Sequence, residues 1–198
     1  PPPAEGQLDQ IVVFPDFNLA GRTQDNVIYF DNITFSPEIL SGVPTVSAPT
    51  PTLPANDVIS VFSDAYSDIP GTNLNPNWGQ ATAVSFLMIQ GDTTMKYTGL
   101  NYQGIELGSN QNLTAAGMQY LHLDFWNATS TDLGVFLISP GPVEARVSLV
   151  PPGTTESWIS VNIPLTDFAP VDLSNVFQFK FDGNGTVYLD NIFFSTTV

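Results

Sequence analysis

Alternation between apolar and polar residues is the sequence feature that most limits how this chain can fold. In residues 157–163, for example, the apolar positions 159, 161 and 163 are separated by Ser160 and Asn162. A period of two indicates a β-strand with one buried face, because successive side chains point to opposite sides of a sheet. Three segments show the pattern most clearly, and their apolar positions are predicted to be core: Leu121, Leu123, Phe125, Ile159, Val161, Ile163, Phe177, Phe179 and Phe181.

Turn-forming residues separate such segments along the whole chain. The 198 residues include 17 Pro and 15 Gly, which interrupt regular structure more strongly than other residues. Long runs of helix-forming residues are absent. About ten short strands with turns between them are typical of sandwiches and barrels. The sequence therefore predicts an all-β fold, a jelly-roll β-sandwich with no helix longer than a turn or two.

A nearly identical octapeptide occurs twice and predicts how the chain is divided. Residues 29–36 read Tyr-Phe-Asp-Asn-Ile-Thr-Phe-Ser, and residues 188–195 read Tyr-Leu-Asp-Asn-Ile-Phe-Phe-Ser. The copies are too far apart for a solenoid, whose repeats run roughly 20–50 residues, so each is interpreted as the last strand of a sandwich module. We expect a multimodular parent protein, with residues 1–40 a β-hairpin remnant of a preceding module, 41–53 a Pro-, Ser- and Thr-rich linker, and 54–198 a complete module.

The charge balance excludes several classes of partner. Lys and Arg total 4 against 19 Asp and Glu, a formal net charge of −15. Such a surface repels nucleic acid and anionic membranes, so we expect neither nucleic-acid binding nor membrane insertion. The chain has no cysteine, which excludes disulfides and, for a secreted protein, favours a bacterial exterior. Because only 12% of the residues are charged, the surface is expected to suit neutral polar ligands.

The sequence lacks the residue patterns of the common hydrolytic mechanisms. Glycosidases need two carboxyl groups facing each other across the scissile bond, and no glutamate here is paired with a carboxylate two or four residues away in a strand. Ser-His-Asp chemistry would have to use the only histidine, His122, and no Gly-x-Ser-x-Gly element is present. We therefore expect a protein that is not an enzyme and has no catalytic cofactor.

Several stretches of the chain carry a family resemblance. They are Val-Ile-Ser-Val-Phe-Ser-Asp-Ala-Tyr at 58–66, Asn-Pro-Asn-Trp-Gly-Gln-Ala-Thr at 75–82, Tyr-Leu-His-Leu-Asp-Phe-Trp at 120–126, Ile-Pro-Leu-Thr-Asp-Phe at 163–168, and Gln-Phe-Lys-Phe-Asp at 178–182 followed by Tyr-Leu-Asp-Asn-Ile at 188–192. They resemble the carbohydrate-binding-module-like domains of secreted Bacteroidetes glycan-utilisation proteins, which include surface glycan-binding proteins and modules of family 16 glycoside hydrolases. The resemblance implies a polysaccharide-binding sandwich, extracellular or at the bacterial outer-membrane surface. Marine β-glucans such as laminarin lie within the family's range.

A sugar-binding surface needs exposed aromatic rings beside polar side chains, because aromatics give a large contact area with little rotamer entropy to lose. Trp78 lies in a loop, residues 75–80, without apolar neighbours, so it is either a ligand contact or a plug of that loop. Trp126 shares the polar face of its strand with Tyr120, although an aromatic there can also cap the sheet. The predicted ligand-binding residues are Trp78, Trp126, Asp124, His122, Gln80, Lys180, Tyr66, Tyr102 and Arg146.

Some of these polar residues also have a simpler interpretation. Asp124, Arg146 and Lys180 would form a cross-strand ion network that solvates one face of a sheet. His122, which alternates with core leucines, would be a structural histidine with satisfied hydrogen bonds. Trp158 is interpreted as structural, since similar sandwiches often have a structural tryptophan at this place.

The resemblance also implies a structural calcium ion on the side away from the ligand. Calcium takes six to eight oxygen ligands, which suits an Asp-rich chain. Asp190 is the first candidate ligand, with Asp57 or Asp64 as its partner. The alternative is that Asp190 and Asn191 form a turn or bulge in the last strand.

Three functions are compatible with the sequence. The first is non-catalytic binding of a polysaccharide, a neutral β-1,3-glucan, at a bacterial surface alongside upstream modules of the same chain. The second is a structural spacer or adhesion-type sandwich domain. The third is an accessory module of a glycoside hydrolase. A shared exposed face for Trp78 and Trp126 would favour binding, whereas a spacer would bury or scatter them.

Overall fold

The computed structural model describes residues 42–149 and 157–198. The regular structure of these residues is ten strands and two short 3-10 turns, and neither turn has the length or hydrophobicity of a membrane span. The strands are β1 Val58–Phe62, β2 Ala83–Ile89, β3 Asp92–Thr98, β4 Tyr102–Gln111, β5 Tyr120–Asn127, β6 Leu133–Ser139, β7 Val143–Ser148, β8 Trp158–Pro164, β9 Val176–Gly183 and β10 Thr186–Ser195. The 3-10 turns are Ala55–Asp57 and Leu165–Phe168.

Two antiparallel sheets form the sandwich. The first sheet has the strand order β2-β3-β10-β5-β8, and β1 also pairs with β10. The second sheet has the order β4-β9-β6-β7. The last strand, β10, lies at the centre of the first sheet, where it pairs with β1, β3 and β5. This architecture confirms the all-β sandwich predicted from the alternation.

The core between the sheets uses the predicted apolar positions. Six of the nine are buried, and two more, Ile159 and Val161, are half-buried against them. Each large apolar side chain buried in this way contributes roughly 1.5–3 kcal/mol. The six buried positions are Leu121, Leu123, Phe125, Ile163, Phe179 and Phe181.

Phe177 is the exception, and the prediction that it is core is wrong. Its side chain is half-buried and lies outside the core cluster, whereas its neighbour Val176 is fully buried. The alternation of β9 therefore shifts by one residue. The shift lies where the register of β4 and β9 breaks, between Glu106 and Gln111. A bulge of this kind redirects side chains at a sheet edge.

The segment that precedes β1 packs against the outer face of the first sheet. We call residues 43–53 the N-terminal strap. Side chains of the sheet and of the loop after β1 donate hydrogen bonds to its carbonyls: Trp158 Nε1 to Val46 O at 2.8 Å, Asn191 Nδ2 to Pro49 O at 2.9 Å, and Tyr66 Oη to Leu53 O at 2.9 Å. The boundaries expected at 40 and 53 stay predictions, since residues 1–41, with the predicted hairpin and the first octapeptide, lie outside the described residues.

The second octapeptide contains an irregularity at Asp190 and Asn191. Asn191 has φ 50°, in the left-handed region that Asn tolerates better than most residues. The pairing of β10 with β5 shifts register between Asp190 and Phe193. Asn191 Oδ1 accepts from Ser63 Oγ at 2.7 Å, and Nδ2 donates to Asp124 Oδ2 at 2.7 Å. The Asp-Asn pair therefore forms a bulge that ties neighbouring elements together, as one of the two alternatives predicted.

Trp158→Phe is expected to lower the free energy of unfolding by about 1 kcal/mol, the typical net value of one hydrogen bond. The change removes the indole donor to the Val46 carbonyl but keeps a ring beside Trp126, whose centroid lies 6.2 Å away. Urea denaturation measures the difference, with Val46→Ala as the control, because it keeps the accepting carbonyl. Equal midpoints for Trp158→Phe and wild type would show that this bond does not stabilise the strap.

Candidate functional site

Strand pairing in the second sheet lines up three rows of residues that face away from the core. Alternate positions of the same strands, such as Gln103, Ile105 and Phe179, are buried. The rows cross the strands in the order β4, β9, β6, β7. The first contains Tyr102, Asp182, Gly134 and Ser148; the second Gly104, Lys180, Phe136 and Arg146; the third Glu106, Gln178, Ile138 and Glu144.

Trp78 lies with the face of its indole on these rows. A Cβ at Gly104 would lie 2.4 Å from both Cε3 and Cζ3 of the ring and 2.7 Å from Cδ2. The absence of a side chain at Gly104 thus lets the indole rest on the backbone of β4. Trp78 Nε1 donates to Glu106 Oε1 at 2.9 Å, and Tyr102 Oη donates to the Trp78 carbonyl at 2.8 Å. The indole is thus held on one face by β4 and at its edge by Glu106, which leaves its other face for a ligand.

Gln80 holds the Trp78 loop in shape. Its Oε1 accepts from the Trp78 backbone N–H at 2.7 Å, and its Nε2 donates to Pro76 O at 2.7 Å and to Gln103 Oε1 at 3.1 Å. The amide is engaged with the protein on both sides. Gln80, predicted as a ligand contact, is therefore placed to position Trp78.

Lys180 occupies the middle of the rows and is ion-paired. Its Nζ donates to both carboxylate oxygens of Glu144, at 2.8 and 2.7 Å, and lies 3.9 Å from the centroid of the Phe136 ring. The aromatic contact adds a cation–π attraction. The charge of Lys180 is thus balanced within the protein.

Arg146 is also ion-paired on this face. Its Nε donates to Asp182 Oδ1 at 2.7 Å, and its Nη2 donates to Asp132 Oδ1 at 2.8 Å. The hydrogen bond that the guanidinium donates to Asp182, and then the one that it donates to Asp132, raises the pKa of Arg146. The bonds fix the orientation of the guanidinium and neutralise its charge.

A groove of about 500 Å³ crosses this face of the second sheet. Its volume lies in the range of typical ligand sites. Of the predicted residues, Trp78, Tyr102 and Lys180 line it, and Arg146 lies beside it, bonded to the lining residue Asp182. The groove combines aromatic and apolar surface with amide and carboxylate groups. Its lining is Trp78, Asn101, Tyr102, Ile138, Pro142, Glu144, Gln178, Lys180 and Asp182.

Trp126 belongs to the opposite side of the sandwich. It is 6% exposed and packs against Ala128 and Tyr188, with Val43 of the strap beside them. The expectation that Trp78 and Trp126 share one exposed face is therefore wrong. The physical reason is the strap, which covers the polar face of β5.

His122 and Asp124 lie on the same covered face of the first sheet. Asp124 is buried and accepts from Ser160 Oγ. Nδ1 of His122 lies 2.7 Å from Asn162 Oδ1, and its ring stacks on Phe193 with centroids 4.5 Å apart. Both residues border a smaller cavity of about 230 Å³ under the strap. The thickness of the sandwich separates them from the groove, so they cannot contact the same ligand as Trp78.

Tyr66 also lies on the side of the first sheet. Its ring packs edge-on against Phe193, with centroids 5.4 Å apart, and its hydroxyl donates to Leu53 of the strap at 2.9 Å. The predicted set is therefore divided. Tyr66, His122, Asp124 and Trp126 lie beside the strap, whereas the other five lie at or beside the groove.

Asp190 is buried among other carboxylates of the first sheet. Its side chain is fully shielded from solvent, and its pKa is raised to about 8, first by burial and next by the charge of Asp92. Asp124 and Asp64 raise it further, while the backbone N–H of Asn191 opposes the shift. Burial, and then the charge of Asp64, also raises the pKa of Asp92. The Asp190 carboxyl is thus largely protonated near neutral pH.

The predicted calcium ligands are only partly brought together. Asp64 is close enough to Asp190 to affect its pKa, but Asp57 precedes β1 and Asp64 follows it, so these two lie at opposite ends of the strand. Within residues 42–149 and 157–198, no group of three or more Asp, Glu or His side chains is placed to hold a metal ion. The residues present do not form a calcium site in this arrangement, and calcium stays a prediction.

Several groove residues did not stand out in the sequence as ligand contacts. Glu106 supports the Trp78 ring, and Gln178 and Asn101 line the groove. Gln178 and Asp182 belong to the polar face of β9, so the alternation contained a signal for them. No local signal marked Asn101 or Pro142, because loops at opposite ends of strands bring them to the groove.

Comparisons with known proteins give matches to solved structures alone. No protein-family model matches the chain, and no curated protein matches it. The family 11 carbohydrate-binding module from Clostridium thermocellum, in complex with a β-1,3-1,4-mixed-linked tetrasaccharide, is similar at 19% identity over 65% of this chain and 89% of that chain, with a TM-score of 0.44. A CBM29-2 mutant complexed with mannohexaose matches at 15% identity over 70% of this chain and 91% of that chain, with a TM-score of 0.49. A family 30 module of a Clostridium thermocellum cellulosomal cellulase matches at 19% identity over 70% and 97%, with a TM-score of 0.49.

Proposed function

We propose that this protein binds a neutral polysaccharide, a β-1,3-glucan such as laminarin, without cleaving it. The observation that carries the proposal is the indole of Trp78, laid face-down on Gly104 at a groove that also offers the amide of Gln178. Sugar rings stack their C–H faces on aromatic surfaces, and their hydroxyls need donors and acceptors nearby. The choice of a β-1,3-glucan rests on the family resemblance of the sequence.

The charges of the face support a neutral ligand. Lys180 and Arg146 are both paired with carboxylates of the protein, so no unbalanced positive charge is left to attract a carboxylate or sulfate of a sugar. The rows also contain Glu106 and Asp182, and the chain has a net charge of −15. An anionic polysaccharide would be repelled by this surface.

The acidic groups of the groove support binding without cleavage. Glu144 and Asp182 are held by cations, and Glu106 accepts from the Trp78 indole. A glycosidase instead needs one carboxyl group that stays protonated and a second that attacks or activates water. We expect that the purified protein releases no reducing ends from a glucan that it binds. Measurable release would contradict the non-catalytic function.

Affinity electrophoresis tests the ligand class with laminarin, mixed-linkage glucan, an agar-type polysaccharide and alginate side by side. Neutral glucans are expected to retard the protein, and alginate is not, because both cations of the face are already paired. Binding should change little between low and high salt, since screening acts on exposed unpaired charges. Retardation by alginate that salt abolishes would contradict the proposal.

The setting of this binding is proposed from the resemblance. The protein would act outside the cell or at a bacterial outer-membrane surface, where upstream modules of the same chain add avidity. It would serve either a surface glycan-binding protein or, as an accessory module, a glycoside hydrolase.

A spacer or adhesion-type domain is the alternative that one observation favours. Trp126 is buried under the strap, as expected of a sandwich that only positions other modules. The face around Trp78 argues against it, because a spacer has no need of a glycine that seats an indole beside a groove. A wild-type protein that binds no glycan in the electrophoresis panel would support the spacer.

A further inference from the structure

The guanidinium of Arg146 packs on Gly134 in much the same way as the indole of Trp78 packs on Gly104. A Cβ at Gly134 would lie 2.3 Å from Arg146 Nε, 2.5 Å from Cζ and 2.7 Å from Nη2. Three atoms of the guanidinium thus lie close to the position that a Cβ at residue 134 of β6 would occupy. The guanidinium therefore lies with its plane against that strand, and any larger residue at 134 would displace it.

The carboxylates around Arg146 fix this arrangement. Asp182 binds Nε and Asp132 binds Nη2, both from the edge of the guanidinium. The bonds leave the outer face of the plane open, and the Arg146 side chain keeps 30% of its surface exposed. A guanidinium that is neutralised at its edge and open on its face is a flat surface with remaining N–H donors, which suits a sugar better than an anion.

The two glycines on which these flat groups pack lie on strands separated by one other strand. Gly104 is on β4 and Gly134 is on β6, with β9 between them, and Gly134 lies two residues further along the strands, so the two glycines are about 12 Å apart at the usual strand spacing and rise. Lys180 and Asp182 of β9 lie between the two flat groups. A chain of sugars that crosses the strands would meet one flat group, then polar side chains, then the second flat group.

We propose that Gly104 and Gly134 determine the specificity of the protein for longer neutral sugar chains. Gly104 lets the Trp78 indole lie on the sheet and Gly134 lets the Arg146 guanidinium do so, which creates two separated contacts for one sugar chain. Arg146 supplies the second contact, beyond the groove that Trp78 occupies. The inference rests on the proposed function. It predicts that a long oligosaccharide gains affinity from Arg146, whereas a disaccharide bound at Trp78 gains none.

Chain-length dependence of binding tests this inference. The probes are di- and hexasaccharides from laminarin and from mixed-linkage glucan, titrated into wild type, Gly134→Ala and Arg146→Lys. Lys96→Arg is the matched control, because it changes a cationic residue of β3 in the first sheet, on the opposite side of the sandwich, where its Nζ lies over the Tyr188 ring. Gly134→Ala and Arg146→Lys are each expected to weaken hexasaccharide binding about fivefold, the size of one net hydrogen bond, and to leave disaccharide binding unchanged. Arg146→Lys keeps the charge but loses the planar guanidinium. It therefore still tests the second contact if Gly134→Ala does not fold.

The outcomes separate this inference from the function on which it rests. Hexasaccharide affinity equal to wild type in Arg146→Lys, or equal losses for both chain lengths, would overturn the second contact and leave the glycan-binding function standing. Failure of wild type to bind any of the oligosaccharides would overturn both. A selective loss for the hexasaccharide, with Lys96→Arg like wild type, would support the inference.

Discussion

Replacing Trp78 with alanine is expected to weaken glucan binding about tenfold and to leave the fold intact. Stacking of a nucleic-acid base on an aromatic side chain is worth roughly 1–3 kcal/mol. By analogy a sugar falls near the low end of that range, and about 1.4 kcal/mol corresponds to a factor of ten. Trp78 rests on the outer surface of β4 and is not part of the core cluster, so its removal leaves no cavity between the sheets.

Isothermal titration with laminarin oligosaccharides measures this effect, and thermal unfolding checks the fold. Trp158→Phe is the matched control, because it removes an indole from the opposite sheet. It should bind like wild type. Equal affinity of wild type and Trp78→Ala would remove Trp78 from the site, and a large fall in the melting temperature of Trp78→Ala would show that the residue is a plug of its loop.

Asp190→Asn is expected to stabilise the protein above neutral pH and to flatten its stability profile between about pH 4 and pH 8. The carboxyl has a folded-state pKa of about 8, whereas an unfolded Asp titrates near about 3.9. Between these values the native state keeps a proton that the unfolded state releases. Stability therefore falls as pH rises through this window, by up to about 1.4 kcal/mol per pH unit, and levels off above it.

An asparagine at this position removes the titration while keeping an acceptor. Its Oδ1 replaces the carboxylate oxygen that accepts from the Asn191 backbone N–H at 2.7 Å. Urea denaturation of wild type and Asp190→Asn across this pH range, in buffer with EDTA, tests the expectation. Parallel profiles would show that Asp190 is ionised in the folded protein. A stabilisation of wild type by added calcium that Asp190→Asn lacks would instead support the calcium site predicted from the resemblance.

The strands could be predicted because each is determined by its own side chains. A half-buried strand shows its period in the sequence. Burial alternates from Ile159 to Pro164 in β8 and from Tyr120 to Leu123 in β5, whereas the rest of β5 is buried on both faces. The burial of Phe177 could not be predicted in this way, because the register break between β4 and β9 arises from pairing with a strand distant in the sequence. Local alternation contains no information about such a bulge.

The site could be predicted only where one residue was conspicuous by itself. Trp78 stood out because its loop offers nothing apolar to pack on. Trp126 looked equivalent in the sequence, but the strap that buries it lies far away in the chain. Similarly, the sequence around Gly104 and Gly134 does not indicate that the side chains of Trp78 and Arg146 pack on them, since those side chains come from a loop and a strand distant in the sequence. The groove is a property of strand register, which the sequence does not display.

The three tryptophans allow one measurement to test the central claim that a neutral glucan binds on the outer face of the second sheet. Each indole N–H gives its own NMR signal, and only Trp78 lies at the groove, since Trp126 and Trp158 lie together on the first sheet. During titration of the ¹⁵N-labelled protein with laminarin hexasaccharide, the Trp78 indole signal is predicted to shift with backbone amides of β4 and β9, while the other two indoles stay in place. Shifts confined to Trp126, Trp158 and the strap, or no shift with laminarin or mixed-linkage oligosaccharides, would contradict the claim.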